Sequence, residues 1–138
     1  MKEPILEEIK LKRDYKFMYE GFIISTQHET YLFLDTEAEI TYGLKFNPSY
    51  IHKFGYPNAE VLGAHELYKF GLPFYSICEV LNSPWIQRLK ENNKIHPGHN
   101  DNLYKDRRHF IITMEDNTFE IVCKEITEIA LNTKEINS

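Results

Sequence analysis

The sequence predicts an α+β fold, an antiparallel sheet of five or six strands flanked by one main helix and short middle helices. Three observations predict it. Short β-rich runs follow one another between residues 19 and 46 with no room for crossover helices. Two alternating segments flank Asp116-Asn117. One well-signalled helix starts after Ser83.

At the N-terminal end, Pro4 precedes ILEEIKL, where Ile5, Leu6 and Ile9 fit one face of a short helix. YEGFIIST, YLFLD and EITYGLKF then read as an antiparallel meander, with Ile40, Tyr42, Leu44 and Phe46 alternating toward the core. Asn47-Pro48 reads as the N-cap and first residue of a short helical turn that Gly55 ends, and Asn58 as the cap of a second short helix, AEVLGAHELYKF. FYSICEV is a strand. Ser83 is then a good N-cap and Pro84 suits N1, so PWIQRLKENN is a helix whose Trp85, Ile86 and Leu89 need a partner. Pro97 and Gly98 make KIHPGHNDN a polar loop.

A two-residue turn at Asp116-Asn117 would pair Glu115 with Thr118, Ile111 with Val122 and His109 with Lys124. Alternation puts Phe110, Ile112, Met114, Phe119, Ile121 and Cys123 on one apolar face, and His109, Ile111, Thr113, Glu120 and Val122 on the other. The second face is a further core layer under the helix after Ser83 or the wall of a cleft, and the helix is the preferred cover. The tail EITEIALNTKEINS reads as a strand continued past a bulge or as a short helix.

Residues 1–138 are expected to form a single globular domain, since 138 residues suffice for one ordinary core and 42% of them are hydrophobic. The net charge of -5 removes the usual footprint of a nucleic-acid binder; Lys10, Lys12, Arg13 and Lys16, with Lys105, Arg107 and Arg108, form the one basic candidate. No apolar stretch reaches the length of a membrane span, and no leader is evident, so no membrane partner and a cytoplasmic location are expected. Cys78 and Cys123 read as buried thiols in a reducing compartment.

The six glycines are isolated, which removes recognised phosphate and dinucleotide loops, and no cofactor is expected. Serines lack a Gly-x-Ser-x-Gly setting, and capping accounts for Ser83. His96, His99 and Asp101 fall in a Pro-Gly loop that reads as solvent-facing rather than as a metal site. Glu79 is a carboxylate in an otherwise apolar strand. On the proposed hairpin, His109 and the partner of Glu120 stand roughly 13 Å apart along the strand, so a ligand could bridge the pair but a hydrogen bond could not. Tyr50, Tyr56, Tyr68 and Tyr75 surround the irregular middle, where aromatics commonly build binding surfaces.

The expected role is therefore noncatalytic binding of a protein or small-molecule partner, through Tyr50, Tyr56, Tyr68, Tyr75, His109 and Glu120. A small hydrolase-like or metal-dependent enzyme using histidine and carboxylate residues is the alternative, and a structural scaffold the third reading. Neither the partner nor the oligomeric state follows from the sequence.

Overall fold

In a computed structural model that describes residues 2–17 and 21–132, seven strands form one antiparallel sheet. They are β1 (Ile5–Glu8), β2 (Phe22–Ser25), β3 (Thr30–Glu37), β4 (Ile40–Gly55), β5 (Ser76–Leu81), β6 (Arg108–Thr113) and β7 (Thr118–Asn132). The order across the sheet is β1-β5-β6-β7-β4-β3-β2. Helix α1 (Pro84–Asn93) and short 3-10 helices at Ala59–Ala64, Tyr68–Phe70 and Asp101–Tyr104 complete it.

The seventh strand comes from the segment expected to be an N-terminal helix. Ile5–Glu8 pairs with β5 instead, Leu6 opposite Val80. Edge pairing satisfies backbone groups that a short helix with one apolar stripe would leave to water. The meander is present as β2, β3 and β4, with the turn at Ala38-Glu39; Tyr19 and Glu20 lie outside the described residues. Leu44 and Phe46 are fully buried, while Ile40 is exposed at the hairpin end.

Asn47-Pro48 does not start a helical turn. β4 runs through it for 16 residues, and a bulge between Ser49 and Ile51 inserts Tyr50 opposite β7. Proline cannot donate to the ladder, and a neighbouring irregularity is where a sheet accommodates it. Continuous pairing with the 15-residue β7 holds this stretch extended. The tail is accordingly a strand through Asn132, and residues 133–138 lie outside the described residues.

One sheet face packs Leu32, Leu44, Phe46, Ile77, Phe110, Ile112, Met114, Phe119, Ile121 and Cys123 into the main core. All six residues assigned to the apolar face of the last hairpin are within it. The arm before β2 covers this core with Tyr15 and Phe17. It is tied down where the Lys12 and Arg13 amides donate to the Glu128 carboxylate at 2.7 and 3.0 Å.

The opposite face is a second buried layer. Leu62, Leu67 and Leu72, from the excursion after β4, pack on Cys78, Val80 and Ile111. Asn58 caps that excursion, its Oδ1 accepting the Val61 amide at 3.3 Å, but the helix is 3-10 and ends at Ala64. Ser83 caps α1 in the expected way, accepting the Ile86 amide at 3.1 Å. The excursion therefore covers Ile111, while α1 sets the Trp85 ring edge-on to His109 at 5.2 Å. Each large apolar side chain so buried contributes roughly 1.5–3 kcal/mol.

Candidate functional site

The turn of the last hairpin is centred one residue earlier than expected, on Glu115-Asp116. Thr113 pairs with Thr118, and the Met114 amide bonds the Asn117 carbonyl at 3.0 Å. The register moves by two residues, so every side chain keeps its face while its opposite partner changes. His109 now stands opposite Val122 and Ile111 opposite Glu120. That makes His109 and Glu120 diagonal neighbours on one face, within reach of long side chains. The expectation that they could not touch is overturned: His109 Nε2 lies 2.8 Å from Glu120 Oε1.

The contact belongs to a longer chain. Glu120 Oε2 meets His65 Nε2 at 2.8 Å, and His109 Nδ1 meets Ser83 Oγ at 2.7 Å. Four residues from four segments are thus linked in the order His65, Glu120, His109, Ser83. His65 arrives at the end of the first 3-10 helix, Ser83 between β5 and α1, and the other two from β6 and β7. All but the edges are dry, with His109 1% and Glu120 5% exposed.

The hydrogen bonds set the proton positions. His65 Nδ1 accepts the Leu67 amide at 3.0 Å, so its proton is on Nε2, which donates to Glu120. Burial favours the neutral acid of Glu120, but hydrogen bonds from His109 and His65 outweigh it and hold the carboxyl well below the usual carboxylate range. An ionised Glu120 requires His109 to donate through Nε2. With His109 neutral, the Ser83 hydroxyl donates to its Nδ1 while Ser83 Oγ accepts the Ile86 amide. Lys53, opposite Glu120 in the β4–β7 ladder, brings its ammonium to 3.9 Å from Oε2 and stacks over Trp85 at 4.2 Å. The charge is partly offset and no polar atom of the four side chains is left over.

One end of the chain opens into a cleft of about 360 Å³ lined by Lys53, Phe54, Tyr56, His65, Arg88 and Glu120. Arg88 is held at its rim by Glu66, 3.0 Å away. Ser83, at the other end, lines a separate cavity. This arrangement can accept a donor group at Glu120, pass a proton along fixed hydrogen bonds, or orient the Ser83 hydroxyl.

Of the tyrosines expected at the site, the structure brings only Tyr56 to this cleft, where it is 76% exposed. The other three are exposed too but engaged elsewhere. Tyr50 stacks on the Arg107 guanidinium at 4.1 Å, Tyr68 sits edge-on to Phe74, and the Tyr75 hydroxyl donates to Glu115. Tyr68 and Tyr75 both pack on Phe74 in one exposed aromatic group, while Tyr50 stands on the β4 bulge, and none of the three lines the cleft with Tyr56. His65, Lys53 and Trp85 are the members sequence reasoning missed, and Ser83 was assigned its cap alone. His65 is 55 positions from Glu120, in a segment without periodicity, so nothing local marks it.

The other polar candidates are explained locally. Glu79 takes a two-point bond from Arg108, at 2.8 and 3.0 Å. His99 Nε2 bonds Asp101 at 2.6 Å, lowering the Asp101 pKa, while His96 Nδ1 accepts the Gly98 amide. Among the described residues, no three His, Cys, Asp or Glu side chains are grouped to hold a metal ion. Both cysteines are free and buried, and burial pushes their thiol pKa values up, that of Cys123 to about 12. Among the described residues no helix is long and apolar enough to cross a membrane.

No protein-family model matches the chain, and neither the curated proteins nor the solved structures compared with it contain a match.

Proposed function

We propose that the chain is a small-molecule-binding domain whose site is the cleft floored by His65 and Glu120. The observation that carries this reading is the fixed, ionised carboxylate of Glu120 at the floor of a cleft that Tyr56 lines. Each of its oxygens takes one imidazole N–H and retains a lone pair. A ligand amide, amine or hydroxyl placed there gains a charge-assisted hydrogen bond without reorganising the protein. Tyr56 offers an apolar wall, while Lys53, beside Glu120, and Arg88, paired with Glu66, make the mouth polar. The free, buried cysteines support a reducing, cytoplasmic setting. A protein partner at this cleft has less support, because Tyr56 alone of the four tyrosines lines it.

A fragment screen followed by imidazole NMR tests the reading. Ligands should shift the His65 and His109 ring signals and lose affinity in Tyr56→Ala with the fold intact. Hits that leave both rings unmoved and tolerate Tyr56→Ala would refute it.

A second reading is favoured by the order Ser83, His109, Glu120, the sequence of nucleophile, base and orienting acid in acyl transfer. In that role Ser83 Oγ would give its proton to His109 Nδ1 on attacking an ester carbonyl. Turnover of p-nitrophenyl acetate above the Ser83→Ala background, with a fluorophosphonate adduct on Ser83, would favour this reading over binding alone; neither signal in folded protein would remove it.

A further inference from the structure

Ser83 lines a second cavity, about 460 Å³ in volume, that shares no lining residue with the Glu120 cleft. Its wall combines Val80, Leu81 and Ile86 with Lys2, Lys105, Arg107 and Arg108, and the single carboxylate among its lining residues is Glu79. Four cations against one anion is an unusual local balance in a chain of net charge -5. Arg108 is committed to Glu79. Among the described residues, Lys2, Lys105 and Arg107 have no ion-pair partner.

Arg107 is the most informative of these. Its guanidinium is clamped between Tyr50, at 4.1 Å, and Tyr104, at 4.2 Å. The two rings cover the faces of the group, so only its in-plane N–H bonds remain for recognition. Its Nε is buried and lacks a hydrogen-bond partner. That N–H is closed to solvent, so a ligand in the cavity would meet the terminal nitrogens of the guanidinium. Planar, pre-oriented N–H groups match a phosphate or carboxylate edge. The first turn of α1 adds little, since Pro84 lacks an N–H and the Ile86 amide is used by Ser83. The side-chain cations therefore carry the site.

We propose that this cavity binds a small phosphorylated molecule, with Arg107 and Lys105 holding the phosphoryl group and Lys2 adding charge at the opening. A doubly charged phosphoryl group suits three unpaired cations better than a carboxylate does. The volume lies in the range of small-molecule sites and exceeds what a bare phosphate needs, so the remainder of the ligand would lie on Val80, Leu81 and Ile86. The site is distinct from the Glu120 cleft, and either can fail without the other.

Calorimetric titration of the purified protein with inorganic phosphate, phenyl phosphate and benzoate, at constant ionic strength set with chloride, tests the proposal. Phenyl phosphate should bind saturably and more tightly than inorganic phosphate, and both more tightly than benzoate. Lys105→Ala and Arg107→Gln should each weaken phenyl phosphate at least about tenfold. Lys10→Ala, which removes the same charge from an exposed position outside this cavity, should leave affinity within about twofold. Because Arg107→Gln also disturbs two tyrosines, Lys105→Ala is the deciding variant. A single-stranded oligonucleotide binding where phenyl phosphate does not would overturn the proposal in favour of backbone recognition. So would absence of saturation by about 10 mM phenyl phosphate, or equal weakening by Lys10→Ala and Lys105→Ala.

Discussion

The imidazole of His109 meets the carboxylate of Glu120 across the diagonal of the β6–β7 ladder, at 2.8 Å. A strand face buried on both sides would ordinarily exclude both residue types. Here each satisfies the other, and the flanking His65 and Ser83 satisfy what remains, so the polar chain is compatible with its apolar surroundings.

The ionised state of Glu120 makes stability acid-sensitive. Its folded pKa lies below its unfolded value of 4.5, so its contribution is fully present above that value and is lost as pH falls through the folded pKa. Urea midpoints should decline on acidification below about pH 4.5, and Glu120→Gln should flatten that limb. Glu120→Ala should cost about 2–4 kcal/mol at neutral pH, because two buried imidazole N–H groups lose their acceptor. An acid limb unchanged in Glu120→Gln would show that Glu120 does not set it.

How far the sequence discloses this arrangement depends on the range of the interaction. Alternation alone places Phe110 through Met114 and Phe119 through Cys123 correctly, because a two-residue register error preserves faces. The same error misplaces His109 relative to Glu120, since partner identity depends on where the turn is centred. Ser83 is legible as a cap because its bond to Ile86 spans three residues; its bond to His109 spans 26. Pro48 misleads because its local preference for a turn is overridden by 15 residues of β7 lying alongside. Ile5 to Glu8 mislead for the same reason, as edge pairing with β5 decides a segment too short to hold a helix.

Gly43 is required by contact rather than by dihedral freedom. A Cβ there would lie 2.4 Å from the Leu32 carbonyl oxygen and 3.0 Å from Phe33 Cα, both backbone atoms of the adjacent β3. Gly43→Ala must push the strands apart beside a fully buried Leu44. A loss of at least about 2 kcal/mol is expected in chemical denaturation, whereas a change under about 0.5 kcal/mol would show that the strands separate freely.

Phe119 anchors the main core, with its ring centroid 5.4 Å from that of Phe46 and 6.3 Å from that of Phe54. Phe119→Ala should cost about 3–5 kcal/mol. Its neighbour Glu120 points to the opposite face, so the folded fraction of this variant should keep the His65 and His109 ring signals of wild type. Loss of those signals in folded protein would mean that the two layers are mechanically coupled.

Ser83 has two tasks, and substitutions can separate them. As an N-cap it accepts the Ile86 amide; as a buried hydroxyl it shares a hydrogen bond with His109 Nδ1. Glycine is nearly as good an N-cap as serine, with a penalty of only a few tenths of a kcal/mol, whereas alanine costs about 1 kcal/mol. If capping were the whole role, Ser83→Gly would therefore be close to neutral. Loss of the bond to a nitrogen buried beneath Trp85 adds a further cost of about 1–3 kcal/mol, so Ser83→Gly should be destabilising by at least about 1 kcal/mol and Ser83→Ala by somewhat more. The His109 ring signals should move in both variants, since the same bond is removed. Near-neutral Ser83→Gly with an unmoved His109 ring would reduce Ser83 to a cap and end the four-residue chain at His109.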